Sequence, residues 1–167
     1  LEIMFLLTVL TLAPSLLVMV TSFTRIVIVL SFVRRAISMQ ELPPNNVIVG
    51  LALILTFMVM APTFRAIKQD ALDPYTSTDV SKQITQMEAW NRTLAHLRTF
   101  LFGQTRPKDI HLFLDITNHP KPVGREWAEE DIPTEVLVPA FVISELRRAF
   151  IMGCALFLPF MIIDMVV

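Results

Sequence analysis

An all-α fold of membrane-associated helical hairpins, with a soluble helical insertion between them, is what this sequence predicts. Three observations carry that prediction. Two long apolar runs, Ile3 to Val33 and Val47 to Phe64, hold a single charge between them, Arg25. A third run, Ala149 to Val167, holds only Asp164. The chain as a whole is 54% hydrophobic and 17% charged, with a mean hydropathy of +0.61, too apolar for an ordinary soluble domain. A bilayer core accepts about 20 apolar residues as a spanning helix, so each run is long enough or nearly so.

Charge divides the chain into three expected parts. Residues 1–64 form a first apolar hairpin, 65–136 a soluble helical insertion, and 137–167 the start of a second apolar hairpin. The insertion holds 9 of the 14 Lys and Arg and 11 of the 15 Asp and Glu, a net charge of -2. No basic tract points to nucleic acid. Cys154 is the only cysteine, so an internal disulfide is impossible and a small buried apolar role is expected of it. The chain starts at Leu1 and stops inside an apolar run, and is therefore expected to be incomplete.

As one helix the first run would be about 46 Å long, well beyond a hydrocarbon core of about 30 Å. It must tilt, bend or protrude. Pro14 is the expected bend, because it lacks an amide donor and crowds the carbonyl of Leu10. Thr8, Thr11, Ser15, Ser22 and Arg25 share one helical face, with Val18 in the remaining slot. Small hydroxyl residues allow close helix approach and bond across helices, or else bond the carbonyls of their own helix. An arginine among them requires a carboxylate, carbonyl or water.

Arg34 to Asn46 forms a short polar connection that includes Glu41 and Pro43-Pro44-Asn45-Asn46. The double proline ends one helix, and Asn45 or Asn46 is suited to cap the next. Runs one and two then make a hairpin. A basic connection tends to stay cytoplasmic, which places the insertion on the far side of a membrane. Arg147 and Arg148, before the third run, then fall on the wrong side, and this conflict argues against simple independent spans.

In the insertion, Val80, Ile84, Met87, Asn91, Leu94, Leu97 and Leu101 recur at helical spacing, widened by Trp90 and Phe100. Asp79 or Ser81 offers an N-cap and Gly103 a stop. Asp109 to Thr117 is a second short helix with Ile110, Phe113, Leu114 and Ile116 apolar. Asn118 to Pro133 reads as a loop, with an acidic stretch from Glu126 to Asp131. The last helix begins near Pro133-Thr134, with irregular points expected at Pro139 and Pro159. On it, Glu145 and Arg148 are neighbours at i, i+3 and can pair. Such a pair adds little at a surface but fixes register between packed elements.

Catalytic patterns are missing from the sequence. His96, His111 and His119 do not form HExxH; P-loop, GxGxxG, GxSxG and CxxC patterns are not found, and the acids near Glu129 lack the glycine and ligand alternation of a calcium loop. No enzyme activity, cofactor or metal is expected. Function should lie in assembly, conduction or recognition.

Three stretches together resemble one family. Thr21-Ser22-Phe23-Thr24-Arg25-Ile26-Val27-Ile28-Val29-Leu30 with Pro43-Pro44-Asn45, then Pro139-Ala140-Phe141-Val142-Ile143-Ser144-Glu145-Leu146 with Ala149-Phe150, and Pro159-Phe160-Met161-Ile162-Ile163-Asp164, are similar to the FliP proteins of the flagellar export apparatus, which have injectisome SctR relatives. The flagellar branch is indicated by the wording of the motif from Ser22 to Arg25. The resemblance implies a core subunit of the type III protein export gate in the bacterial inner membrane, at the flagellar basal body, with a periplasm-facing insertion. It implies five self copies assembled with FliQ-like and FliR-like subunits and a FlhB-like gate component, passing unfolded flagellar proteins, with membrane lipids around them. Arg25, Glu145, Arg148 and Asp164 are then expected at contacts between helices or subunits. Pro43, Pro44 and Asn45 should form the cytoplasm-facing hairpin tip. In the family the third run continues into a methionine-rich constriction, which this chain does not contain. The competing reading is a polytopic small-molecule transporter or membrane sensor, acting as a monomer or dimer around Arg25 and Asp164.

Overall fold

The computed structural model describes residues 2–37, 43–77, 79, 83–120 and 127–166. Among them every regular element is helical and there is no strand. The elements are α1 (Glu2–Met19), α2 (Phe23–Ala36), α3 (Asn45–Ile67), a π-helical stretch (Lys68–Leu72), α4 (Asp73–Thr76), α5 (Gln86–Gln104), α6 (Pro107–Ile116), a 3-10 turn (Glu129–Asp131) and α7 (Thr134–Val166). They fall into two compact units, one built from Leu1–Val59 with Val142–Val167, the other from Met60–Phe141. Two helical stretches among the described residues, Asn45–Thr76 and Thr134–Val166, are long and apolar enough to cross a membrane.

In the first unit, the long first run is divided, but not at the expected proline. Helix α1 continues through Pro14 and the chain leaves the helix at 20–22. The cause is Thr21, whose hydroxyl donates to the carbonyl of Val18 at 2.9 Å and accepts from the amide of Phe23 at 3.4 Å. One side chain thereby closes α1 and opens α2 by competing with the backbone ladder. Ser22, buried at the break, makes no side-chain cap. Helix α2 ends with Arg34 and Arg35 in its last turn, where positive charge complements the exposed carbonyls.

Among the described residues the buried ones of this unit are mostly small: Ser22, Ala36, Ile48, Ala52, Thr56, Ser144, Glu145, Ala149 and Gly153. Ile48, Ala52 and Thr56 recur every fourth residue, a single inward row on α3. The remaining faces are apolar and open, with Ile54, Phe57, Met58, Ile151, Ile162 and Ile163 among the exposed large side chains. Cys154 is also exposed, against the expectation of burial: it stands about 100° around α7 from the buried Gly153. The helix also runs unbroken through Pro139 and Pro159, where irregular points were expected.

In the second unit, α5 starts later than its apolar spacing predicts. Thr85, in extended conformation, is the N-cap, and its hydroxyl accepts from the Glu88 amide at 3.3 Å. Asp79 lies outside the helix; Val80 and Ser81, like Glu41, Gly124 and Glu126 elsewhere, lie outside the described residues. The helix passes Gly103 and ends at Gln104, where Thr105 turns extended and Pro107 opens α6 at its first position.

The expected stripe of α5 turns inward only at its end. Leu101 is buried and Leu97 and Phe100 half-buried, whereas Met87, Trp90 and Leu94 are exposed. Ile110 and Leu114 of α6 join Ile132, Val136, Leu137, Ala140 and Phe141 in this unit's core, with the Phe100 and Phe141 rings 6.1 Å apart. Helix α6 closes on Asn118 at φ 53°, the left-handed position. There the Asn118 amide donates to Asp115 at 3.2 Å and the His119 amide to Leu114 at 3.0 Å, the paired bonds of a Schellman cap.

The segment before α7 is held by Arg98. Its guanidinium donates to the Thr134 hydroxyl at 2.8 Å, to the Glu129 carbonyl at 2.7 Å and to the Ile132 carbonyl. The neighbouring Thr99 hydroxyl donates to the Glu129 carboxylate at 2.9 Å.

Candidate functional site: a buried ion pair between two apolar helices

Helix α2 carries Arg25 at its first turn, and α7 carries Glu145 about three turns from its start at Thr134. Arg25 Nε donates to Glu145 Oε2 at 2.8 Å, a pair 120 residues apart in sequence. The glutamate side chain is 1% exposed and that of the arginine 21%. A lone charge in such a setting would cost several kcal/mol, so each ion is the condition for the other's burial. Arg148, one turn further along α7, adds a second positive charge within electrostatic reach of Glu145.

The pair is neutralised but incompletely bonded. Glu145 Oε1 is buried and makes no hydrogen bond, and the same holds for the Ser22 hydroxyl one turn before Arg25. Such a pair adds little net stability over an apolar one, yet it penalises any other register of the two helices.

Two further contacts extend the same helix interface. The Phe32 ring meets Phe150 edge to face, with centroids 5.8 Å apart and planes at 79°. It also lies against Gly153, where an added Cβ would stand 2.6 Å from Phe32 Cγ and 2.9 Å from Cε2. Only a residue without a side chain admits this approach. Arg25 meets Glu145 and Phe32 meets Phe150 and Gly153, so α2 and this part of α7 run side by side in the same direction.

The other residues singled out from sequence lie as follows. Thr8 and Thr11 are exposed and donate to the carbonyls of Met4, at 2.7 Å, and Leu7, so both bond within their own helix. Ser15 is exposed, and the break at 20–22 separates it from Ser22 and Arg25. Asp164 is exposed near the end of α7. Pro43 and Pro44 precede α3, and the Pro44 carbonyl accepts from the amides of Val47 at 3.0 Å and Ile48 at 3.3 Å. Asn45 does not turn back to cap; its side-chain oxygen accepts from Arg34 Nη1 at 2.6 Å, tying the end of α2 to the start of α3. Sequence reasoning missed the Arg34 tie, the Phe32 and Gly153 contact and the burial of Asp109 in α6. The spacing of glycine against a distant aromatic gives no local signal, whereas Arg34 beside a proline-asparagine turn does. Among the described residues no cluster of His, Cys, Asp and Glu is arranged to hold a metal ion.

Comparison with known proteins gives one consistent result. The family model for the FliP family matches residues 6–167. The flagellar biosynthetic protein FliP of Bacillus subtilis is 46% identical over 166 residues, which cover 99% of this chain and 72% of that protein. The proteins of the same name from Aquifex aeolicus and Borreliella burgdorferi are 42% and 41% identical, covering 96% and 100% of this chain. Of their own length the chain spans 65% and 64%.

Proposed function

The chain belongs to the FliP family, and from that premise we propose that it is a core, non-enzymatic subunit of the type III protein export gate at the base of the bacterial flagellum. Its apolar helices are buried against sister subunits, five copies assembling with FliQ-like and FliR-like subunits and a FlhB-like component. Unfolded flagellar proteins pass through the centre of that assembly. The gate lies in the inner membrane, with residues 65–136 facing the periplasm and Pro43, Pro44 and Asn45 at the cytoplasmic tip of the first hairpin.

The observation that carries this reading is the Arg25 and Glu145 pair, set among helices whose other faces are apolar and open. Helices that find solvent only in lipid or in one another need a polar device to choose their register. A chain with so small a core in its first unit gains most of its burial from neighbours. Arg148 and the exposed Asp164 supply further charges for contacts between copies.

Charge reversal tests it. Glu145→Lys places two cations at the same point, and in the purified membrane assembly it should abolish the full-size complex and swarming motility, with partial recovery in Arg25→Glu combined with Glu145→Lys. A full-size, exporting complex bearing Glu145→Lys alone would refute the role. Native mass spectrometry of the detergent-extracted protein separates the transporter reading: a pentamer with small membrane subunits supports the gate, and a lone dimer holding a small molecule overturns it.

A further inference from the structure

Helix α3 runs on without a break into the π-helical stretch Lys68–Leu72, where the Asp73 amide donates to the Lys68 carbonyl, five residues back. Pro74 accounts for the widened ladder. It has no amide to offer the carbonyl four residues before it, that of Asp70, and its ring crowds that oxygen. Helix α5 lies against the stretch and supplies the missing donor. Arg92 Nη1 donates to the Asp70 carbonyl at 3.0 Å, and one turn further along α5 His96 Nε2 stands 2.9 Å from Asp70 Oδ2. Glu88 orients the arginine in turn, accepting from Arg92 Nη2 at 2.5 Å. Asp70 is thus gripped through both its backbone and its side chain. Beyond the grip, Leu72 and Tyr75 border a cleft of about 720 Å³ with Met87 and Trp90 of α5, so the two elements run antiparallel and the grip stands at one end of the cleft.

We propose that Asp70, Arg92 and His96 form a pH-graded latch, which holds α5 to this proline-made joint and so sets the width of the cleft. Arg92 supplies the constant part, since a guanidinium keeps its charge at every physiological pH. His96 supplies the variable part. Imidazole is the side chain whose charge ordinarily changes between about pH 5 and 8. Neutral, the ring offers the carboxylate one N–H; protonated, it adds the attraction of a cation. That attraction is present on the acid side of the imidazole titration, while the carboxylate is ionised, and is lost as the pH rises. The other charged or titratable groups on the packed elements are Arg65 of α3, Lys68, Asp73 and Tyr75 of the stretch and α4, and Glu88 and Arg98 of α5. Glu88 is held by Arg92, and Arg98 is directed to the segment before α7. His96 is the one imidazole on these elements. The inference rests on contacts inside the second unit, and does not depend on the export role.

Hydrogen exchange of the full-length protein, as extracted from membranes, tests the latch. Each rate is divided into that of the unstructured peptide at the same pH, which leaves the protection of the amides across 68–76 and 86–96. Wild type should be about two- to fivefold more protected at about pH 5.5 than at about pH 8, the range of a partly exposed ion pair. His96→Gln keeps an N–H donor but cannot titrate, and should lose that difference. Asp70→Asn, which keeps the imidazole and removes the anion, should lose it too. The two side chains are 29% and 61% exposed, so both variants leave the core intact. Arg92→Gln should lower protection by a similar factor at both pH values and preserve the difference between them. The latch is overturned if wild type is equally protected at the two pH values, or if the difference survives in His96→Gln or in Asp70→Asn.

Discussion

Arg25→Ala should be far more damaging than Glu145→Gln, although both remove the same ion pair. At 2.8 Å the gross Coulomb attraction is about 6 kcal/mol at an effective dielectric constant of 20, most of it offset by desolvation. What matters is which group is stranded. Arg25→Ala leaves a carboxylate that is 1% exposed without the Arg25 guanidinium, and cutting one partner from a buried pair costs about 3–5 kcal/mol. Glu145→Gln leaves an arginine that keeps 21% of its side-chain surface in contact with the surroundings and still faces an amide oxygen, a cost of about 1–3 kcal/mol. For a chain of this size 1 kcal/mol moves the melting temperature by about 2–4 °C. Thermal unfolding of the detergent-solubilised protein should therefore show a drop of about 6–20 °C for Arg25→Ala and roughly half or less for Glu145→Gln. The double change Arg25→Met with Glu145→Leu should recover most of the loss. Equal drops for the two single variants, or no drop for Arg25→Ala, would refute the assignment of the buried charge to Glu145.

Three other outcomes follow from the packing. Gly153→Ala should destabilise by about 1 kcal/mol, overpacking against Phe32 of about 1–3 kcal/mol being partly offset by the better helix propensity of alanine, and adding Phe32→Ala should remove the clash; thermal melts of the three variants check this. Arg98→Ala removes three hydrogen bonds from Glu129, Ile132 and Thr134, and hydrogen exchange in the full chain should show faster exchange across 127–134, with Arg98→Lys intermediate. At Asn118, with φ at 53°, replacement by Gly should be neutral or stabilising by up to about 1 kcal/mol, whereas Val should cost at least about 1 kcal/mol, measured by chemical unfolding.

The apolar runs made the helical class legible, because stretches of that length and composition have few structural outlets. Helix existence was readable; termini were set by hydroxyls. Thr21 ends α1 where Pro14 was expected to bend it, and Thr85 starts α5 where Asp79 or Ser81 was expected to. Both are side chains that take over backbone hydrogen bonds, a choice that depends on local geometry as much as on residue type. The apolar stripe of α5 was visible too, yet Met87 and Trp90 are exposed, since periodicity records an apolar face and says nothing of what covers it. Arg25 and Glu145 were each recognisable as charges that need partners. That they are bonded to one another depends on α2 and α7 lying side by side, a tertiary fact with no local signature. The contact of Gly153 with Phe32 was hidden for the same reason.

The 120 residues separating Arg25 from Glu145 set a timetable for biogenesis. A ribosome adding about 5–20 residues per second needs about 6–24 s to travel that distance. Throughout that interval the arginine has emerged and its carboxylate has not. Helix α2 must wait, and its register with α7 is locked only when α7 arrives.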